Sequence, residues 1–251
     1  MVCVLFVIGL PTQGATASGT TAFTCKSGSG AGFSDAHCKT AVGSGASFRH
    51  ESIAQDSSTE LTSSNETTGG ASESTKLKAT LAGTSFTFTA TTATGSGSMT
   101  NGKEGEEHFA HGEGSITYTG VTSTGGCKVF TDSGAGKGEE GVIHTEPLKA
   151  STKGQGDALK FEPASGTVFA RFLLEGCTNT GINGTYTVTG SIKTTSIEGT
   201  TGSVTHADTT TQNTLKLNGT IKAGLEGTLT FKGRANSGQS YSPLGATTGF
   251  A

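Results

Sequence analysis

The densest gathering of chemistry-bearing side chains runs from Glu104 to Glu113 (EGEEHFAHGE). His108 and His111 stand three apart. On a helix they would share a face, as the ligands of a zinc site do. Gly102, Gly105, Gly112 and Gly114 disfavour a helix there. On a strand the two rings face opposite sides, with Glu106 beside His108 and with Glu107 and Glu113 flanking His111. No H-E-x-x-H pattern is present, so further ligands would have to come from His50 or His144. The expectation is a solvated acidic segment with no metal site.

Ser34, Asp35 and His37 supply the three residue types of a hydrolase triad. A triad requires the imidazole to bridge the other two groups. Residues this close in one short loop rarely achieve that, and no G-x-S-x-G elbow exists. Asp35 is expected to cap a turn instead. Ser133 to Gly138 (SGAGKG) has the flavour of a phosphate loop. It lacks the glycine spacing, and Gly138 stands where Ser or Thr would hold magnesium, so a hairpin loop is expected. Glu162 and Glu175 are the best pair for glycoside hydrolysis, on strands expected to be neighbours. Both lie near strand ends. With no Trp and three Tyr, stacking surfaces for sugar rings are few. Catalytic residues and cofactors are therefore expected to be absent.

The cysteines say more. Val2 to Leu10 form a short apolar run, and Ala15-Thr16-Ala17 is a small-x-small cleavage signature. Residues 1–17 thus read as a signal peptide, although the usual basic start is missing. The run is about half the length that spans a bilayer, so no transmembrane segment is expected. Cys3 leaves with this leader. Cys25, Cys38, Cys127 and Cys177 remain, an even count that in an exported protein points to disulfides with three connectivities. The expected one is Cys25–Cys38 with Cys127–Cys177. The absence of any C-x-x-C spacing argues against zinc.

These groups must be held by strands. Thr87, Thr89 and Thr91 alternate with Phe86, Phe88 and Ala90. Thr185, Thr187 and Thr189 alternate with Tyr186 and Val188, and Thr228 and Thr230 with Leu229 and Phe231. Side chains alternate faces along a strand, so each segment has a hydroxyl face and an apolar face. Turn signals recur at Gly83, Asn101-Gly102, Gly125-Gly126, Asn183-Gly184 and Asn218-Gly219. Residues 46–64 suit a polar hairpin, with Phe48, His50 and Ile53 on its first arm, and residues 65–75 suit an exposed loop. Only 31% of the chain is hydrophobic, which hints at disorder. A net charge of −3 and a Thr count above that of Gly argue for thin sheets instead. The fold class expected is all-β: an antiparallel β-sandwich or flattened barrel with long polar loops. Its inward residues would be Phe86, Phe88, Tyr186, Val188, Leu215, Leu217, Leu229 and Phe231. Residues 18–251 form one β-rich domain, or two subdomains divided near residue 126.

Four segments also resemble a family of secreted Gly/Thr-rich actinobacterial proteins. They are FSDAHC (Phe33 to Cys38), HFAHGEG (His108 to Gly114), GCKVF (Gly126 to Phe130) and LKFEPASGTVFA from Leu159, continuing to Gly176-Cys177. The likeness covers nearly all of the mature chain. It implies export and β structure, and no activity.

The near-neutral charge gives no basis for binding nucleic acid. The expected function is that of a secreted or cell-wall-associated structural or interaction protein. Its partner would be a cell-surface polymer or another extracellular protein. The alternative is a carbohydrate- or ligand-binding β-sandwich module, favoured by a concave face lined by Tyr118, Tyr186 or Tyr241. A small outer-membrane barrel would need aromatic girdles that this composition does not supply.

Overall fold

The computed structural model describes residues 20–30, 32–36, 38, 40–54, 56–65, 67–68, 71–101, 110–151, 160–193, 201–204, 214–233 and 242–248. The leader, His37, His108 and Tyr241 lie outside them. The described elements are strands, apart from one short 3-10 turn at Thr180–Ile182. Every strand pairing is antiparallel, as the all-β reading expects.

The long strand Ile221–Gly233 organises the chain. Its first residues pair with Lys216–Leu217, its middle with Thr75–Leu81, and its second half with both Ser58–Asn65 and Thr201–Val204. Three sheets meet along it. The first is large: Thr201–Val204, the long strand, Ser58–Asn65, Thr92–Asn101, Ala110–Thr119, then Val142–His144 and Leu148–Ser151 side by side, Lys160–Pro163 and Ile192–Lys193. The second runs Lys137–Glu140, Lys128–Asp132, Val168–Glu175, Gly184–Thr189, Lys216–Leu217. The third runs Thr122–Ser123, Thr84–Ala90, Thr75–Leu81. Strands from both sides of residue 126 interleave in this arrangement.

The large sheet is curled. Six strands from Phe231 to Phe161 would span about 24 Å if flat, yet these two rings stack with centroids 6.1 Å apart. Glycine permits the tight coiling. Gly97 and Gly114 face each other on the core side, with Gly95 and Gly112 beside them. A Cβ on any of the four would collide with a cross-strand oxygen.

Among the described residues a large core fills the space between these three sheets. Phe88, Phe172, Leu81, Leu174, Leu217 and Val129 are its most enclosed members. Phe172 sits between Phe88, at 5.2 Å, and Tyr186, at 5.5 Å. Phe86, Phe88, Tyr186, Val188, Leu215 and Leu217 are buried as expected. Leu229 and Phe231 also pack against the core but are only half-buried, and Thr230 between them is 5% exposed, so this segment is covered on both faces. The second half of the long strand has left the centre, and its Thr230 is flanked by Ser64 and Thr201.

A small fourth sheet lies at the N-terminal end. It comprises Ser242–Thr248, Thr20–Ser27, Phe48–Ser52, Gly32–Phe33 and Ala41–Val42. It joins the rest through the register Lys232↔Pro243 and Gly233↔Ser242. The expected hairpin over 46–64 is not formed. Phe48–Ser52 pairs with Thr20–Ser27, whereas Ser58–Asn65 pairs inside the large sheet. Periodicity identified the two arms but carries no information about partners. In the expected loop at 65–75, Thr67–Thr68 and Ala71–Ser72 form a separate two-stranded pair.

Candidate functional site

Two features stand out: the outward face of the large sheet and a cavity beneath its inner face. On the outward face, antiparallel register places residues side by side in rows. One row reads Lys232, Thr62, Ser96, Ser115; the next reads Ser64, Thr94, Thr117, His144, with Thr230 covered at its end. Another carries Glu60, Ser98, Glu113, Lys149 and Glu162, and the next Ser58, Thr100, His111, Ser151 and Lys160. Hydroxyls dominate, and each can both donate and accept. Thr117 Oγ1 and His144 Nδ1 are 2.9 Å apart.

Charges on this and neighbouring surfaces are largely paired. Glu162 holds Lys149 and Lys160, and those two ammonium groups outweigh partial burial to keep its carboxyl below the usual range. Glu226 holds Lys76 and Lys78, Glu175 holds Lys137, Glu140 holds Lys128, and Glu146 holds Arg171. Exposed pairs of this kind add little stability, but they leave the surface without a strong field.

The catalytic constellations weighed in the sequence disperse. Glu162 and Glu175 are not on neighbouring strands. Lys160–Pro163 belongs to the large sheet and Val168–Glu175 to the second, with separate partners. Asp35 Oδ2 accepts from Thr40 N at 2.7 Å and so fastens its loop; His37 lies outside the described residues. The SGAGKG segment bridges Lys128–Asp132 and Lys137–Glu140 as a hairpin loop. His111 is exposed on the outward face, while His108 lies outside the described residues. Among the described residues no group of three metal-ligating side chains converges.

The cysteines come together at bonding distance in two pairs, Cys25–Cys38 at 1.96 Å and Cys127–Cys177 at 2.05 Å. Among the described residues no helix is long and apolar enough to cross a membrane. The curled sheet puts hydroxyls and charges outside, where a membrane barrel carries an apolar band. Both features are compatible with an extracellular protein.

The cavity, about 40 Å³, opens where the three sheets meet, among Phe88, Tyr118, Phe169, Phe172, Val188 and Leu225. Its lining is almost wholly apolar apart from Tyr118 and Thr75. Thr75 Oγ1 accepts from Asn65 Nδ2 at 3.2 Å. Sequence reasoning found Tyr118 as a candidate contact but not the cavity, which is made by residues from all three sheets. It missed the hydroxyl face because TATGSGSMTN does not read as a strand. The signal was present in Thr92, Thr94, Ser96 and Ser98, which alternate with Ala and Gly. Comparison with protein-family models, curated proteins and solved structures finds no match for this chain.

Proposed function

We propose that this chain is an exported structural or interaction protein of the cell surface, and that the outward face of its large sheet is the working surface. The observation that carries the reading is the set of hydroxyl rows running across adjacent strands, in register. Such a face offers no apolar area for a lipid or a hydrophobic protein patch. It also offers little unpaired positive charge for a polyanion, because Lys149 and Lys160 already bind Glu162. Its chemistry suits a neutral, hydroxyl-rich polymer of the cell surface. The leader-like start and the two cysteine pairs support export.

The test is co-sedimentation of the purified chain with insoluble wall polysaccharide from its source organism. Binding is expected, with at least a tenfold loss on combining Ser96→Ala, Ser98→Ala and Thr94→Val. No sedimentation of the wild type, or equal sedimentation of the variant, would sink the reading.

A further inference from the structure

The pairing of charges is incomplete on the third sheet. That sheet and the first half of the long strand share an outward face, on the side away from the core. Ala223 and Leu225 are buried inward, so Lys222, Gly224 and Glu226 alternate with them and point outward. In register, Gly224 stands opposite Lys78 and Glu226 opposite Lys76. Lys222 stands opposite Lys216. Four lysines thus share one face with one carboxylate. Glu226 reaches Lys78 at 2.9 Å and Lys76 at 3.8 Å, but one carboxylate cannot neutralise two ammonium groups. Lys216 and Lys222 are exposed and make no ion pair with a described residue. Like charges directly opposite each other on paired strands are destabilising. This face therefore keeps a positive excess within a chain whose net charge is −3.

We infer that this face binds a linear polyanion, a chain carrying repeated phosphate or carboxylate groups. Charge complementarity sets the sign of the partner. The layout sets its form. Strands lie about 4.8 Å apart and alternate residues about 6.7 Å apart along a strand, so the four lysines cover a strip roughly 15 Å long. A single small anion meets one or two of them, whereas a chain of anions meets all four. Lysine is a compact charge on a flexible stem and imposes no fixed geometry, which suits a polymer of repeated charges better than one shaped ligand. Thr87 and Thr89 stand opposite Lys78 and Lys76 on the adjacent strand, and their hydroxyls can donate to anion oxygens. These outward rows hold no aromatic or large apolar side chain among the described residues, so a protein partner would find no anchor there. The inference concerns a different sheet from the hydroxyl rows and stands or falls separately from them.

The experiment is a calorimetric titration of the full chain with inorganic polyphosphate and, in parallel, with polygalacturonate; dextran is the neutral control. Saturable binding of at least one polyanion is expected, and the tighter of the two names the anionic group. Release of condensed counter-ions should weaken that binding at least about tenfold between roughly 50 and 200 mM salt. Lys216→Gln combined with Lys222→Gln should weaken it about tenfold at the lower salt. Lys128→Gln combined with Lys137→Gln removes the same charge from the second sheet and should change it by less than about twofold. Glu226→Gln removes the carboxylate from the face and should strengthen binding about threefold, a gain that a misfolded variant would not show. No saturable binding of either polyanion, an equal loss in the two double variants, or binding only to phosphatidylglycerol vesicles would each overturn the inference.

Discussion

The central core and the small N-terminal sheet solve the same problem with different means. In the centre, strands from three sheets bury a continuous apolar cluster around Phe88, Phe172 and Leu217. In the N-terminal sheet, the corresponding cluster is the Cys25–Cys38 pair with Phe33 and Phe48 packed against it. Burial stabilises in proportion to apolar area, so the first region can hold itself together. Among the described residues the second gathers little such area and adds a covalent closure. In a chain with only 31% hydrophobic residues, the described apolar side chains are concentrated in the centre.

The largest effect should come from the centre. Phe172→Ala removes a ring with no exposed surface and should cost about 3–5 kcal/mol in denaturant unfolding. A loss below 1 kcal/mol would mean that the cluster is not the main support. Next is the N-terminal closure. Replacing Cys25 and Cys38 with Ala opens a loop whose ends are 13 residues apart, and should cost about 3 kcal/mol in the chain-entropy model. Amide exchange should quicken in Phe48–Ser52 and leave Val168–Glu175 protected. Equal quickening in both strands would break the distinction between the regions.

A smaller effect comes from acid. Burial lowers the pKa of His50 to about 4, against about 6.5 in an unfolded chain. The folded state therefore favours the neutral ring, which stacks on Phe33 at 4.4 Å. Its contribution is complete above pH 6.5 and is lost as pH falls from 6.5 through 4. Discounted for partial exposure, the loss is about 1–2 kcal/mol. It should be confined to the N-terminal sheet and absent in His50→Phe. A flat stability profile between pH 7 and 4 would contradict it. The smallest change sharpens the picture of the centre. Ala82 has φ 48° in the turn before Gly83, at φ 78°, a pairing that suits Asn-Gly. Ala82→Asn should raise stability by about 0.5–1 kcal/mol in denaturant unfolding; any decrease would show that the turn is not under that strain.

Much of the fold was legible because Phe, Tyr and Val alternate with Thr in Thr84–Ala90 and Gly184–Thr189, where one face is fully covered. Legibility failed where the physics is not local. Thr92–Asn101 does not read as a strand because Gly is depleted in strands, yet Gly97 is needed there by the Glu113 carbonyl on the adjacent strand. Sequence alone suits Phe48 and Ser64 to one hairpin because alternation marks faces and not neighbours. Leu229 and Phe231 point as their pattern says, but only the neighbouring sheets decide how far they are covered. For the same reason the cavity beside Tyr118 has no signature in any single segment.

The pairing of Thr20 with Thr248 has a mechanical consequence. Thr20 and Thr248 sit at the same edge of this pairing, so a force drawing those two residues apart meets one backbone pair at a time. The seam would open like a zipper, rather than shear with all its bonds loaded together. Pulled through handles at Thr20 and Thr248 in a single-molecule experiment, the protein should yield first at this seam, at low force. The central sheets should rupture later, in a distinct second event.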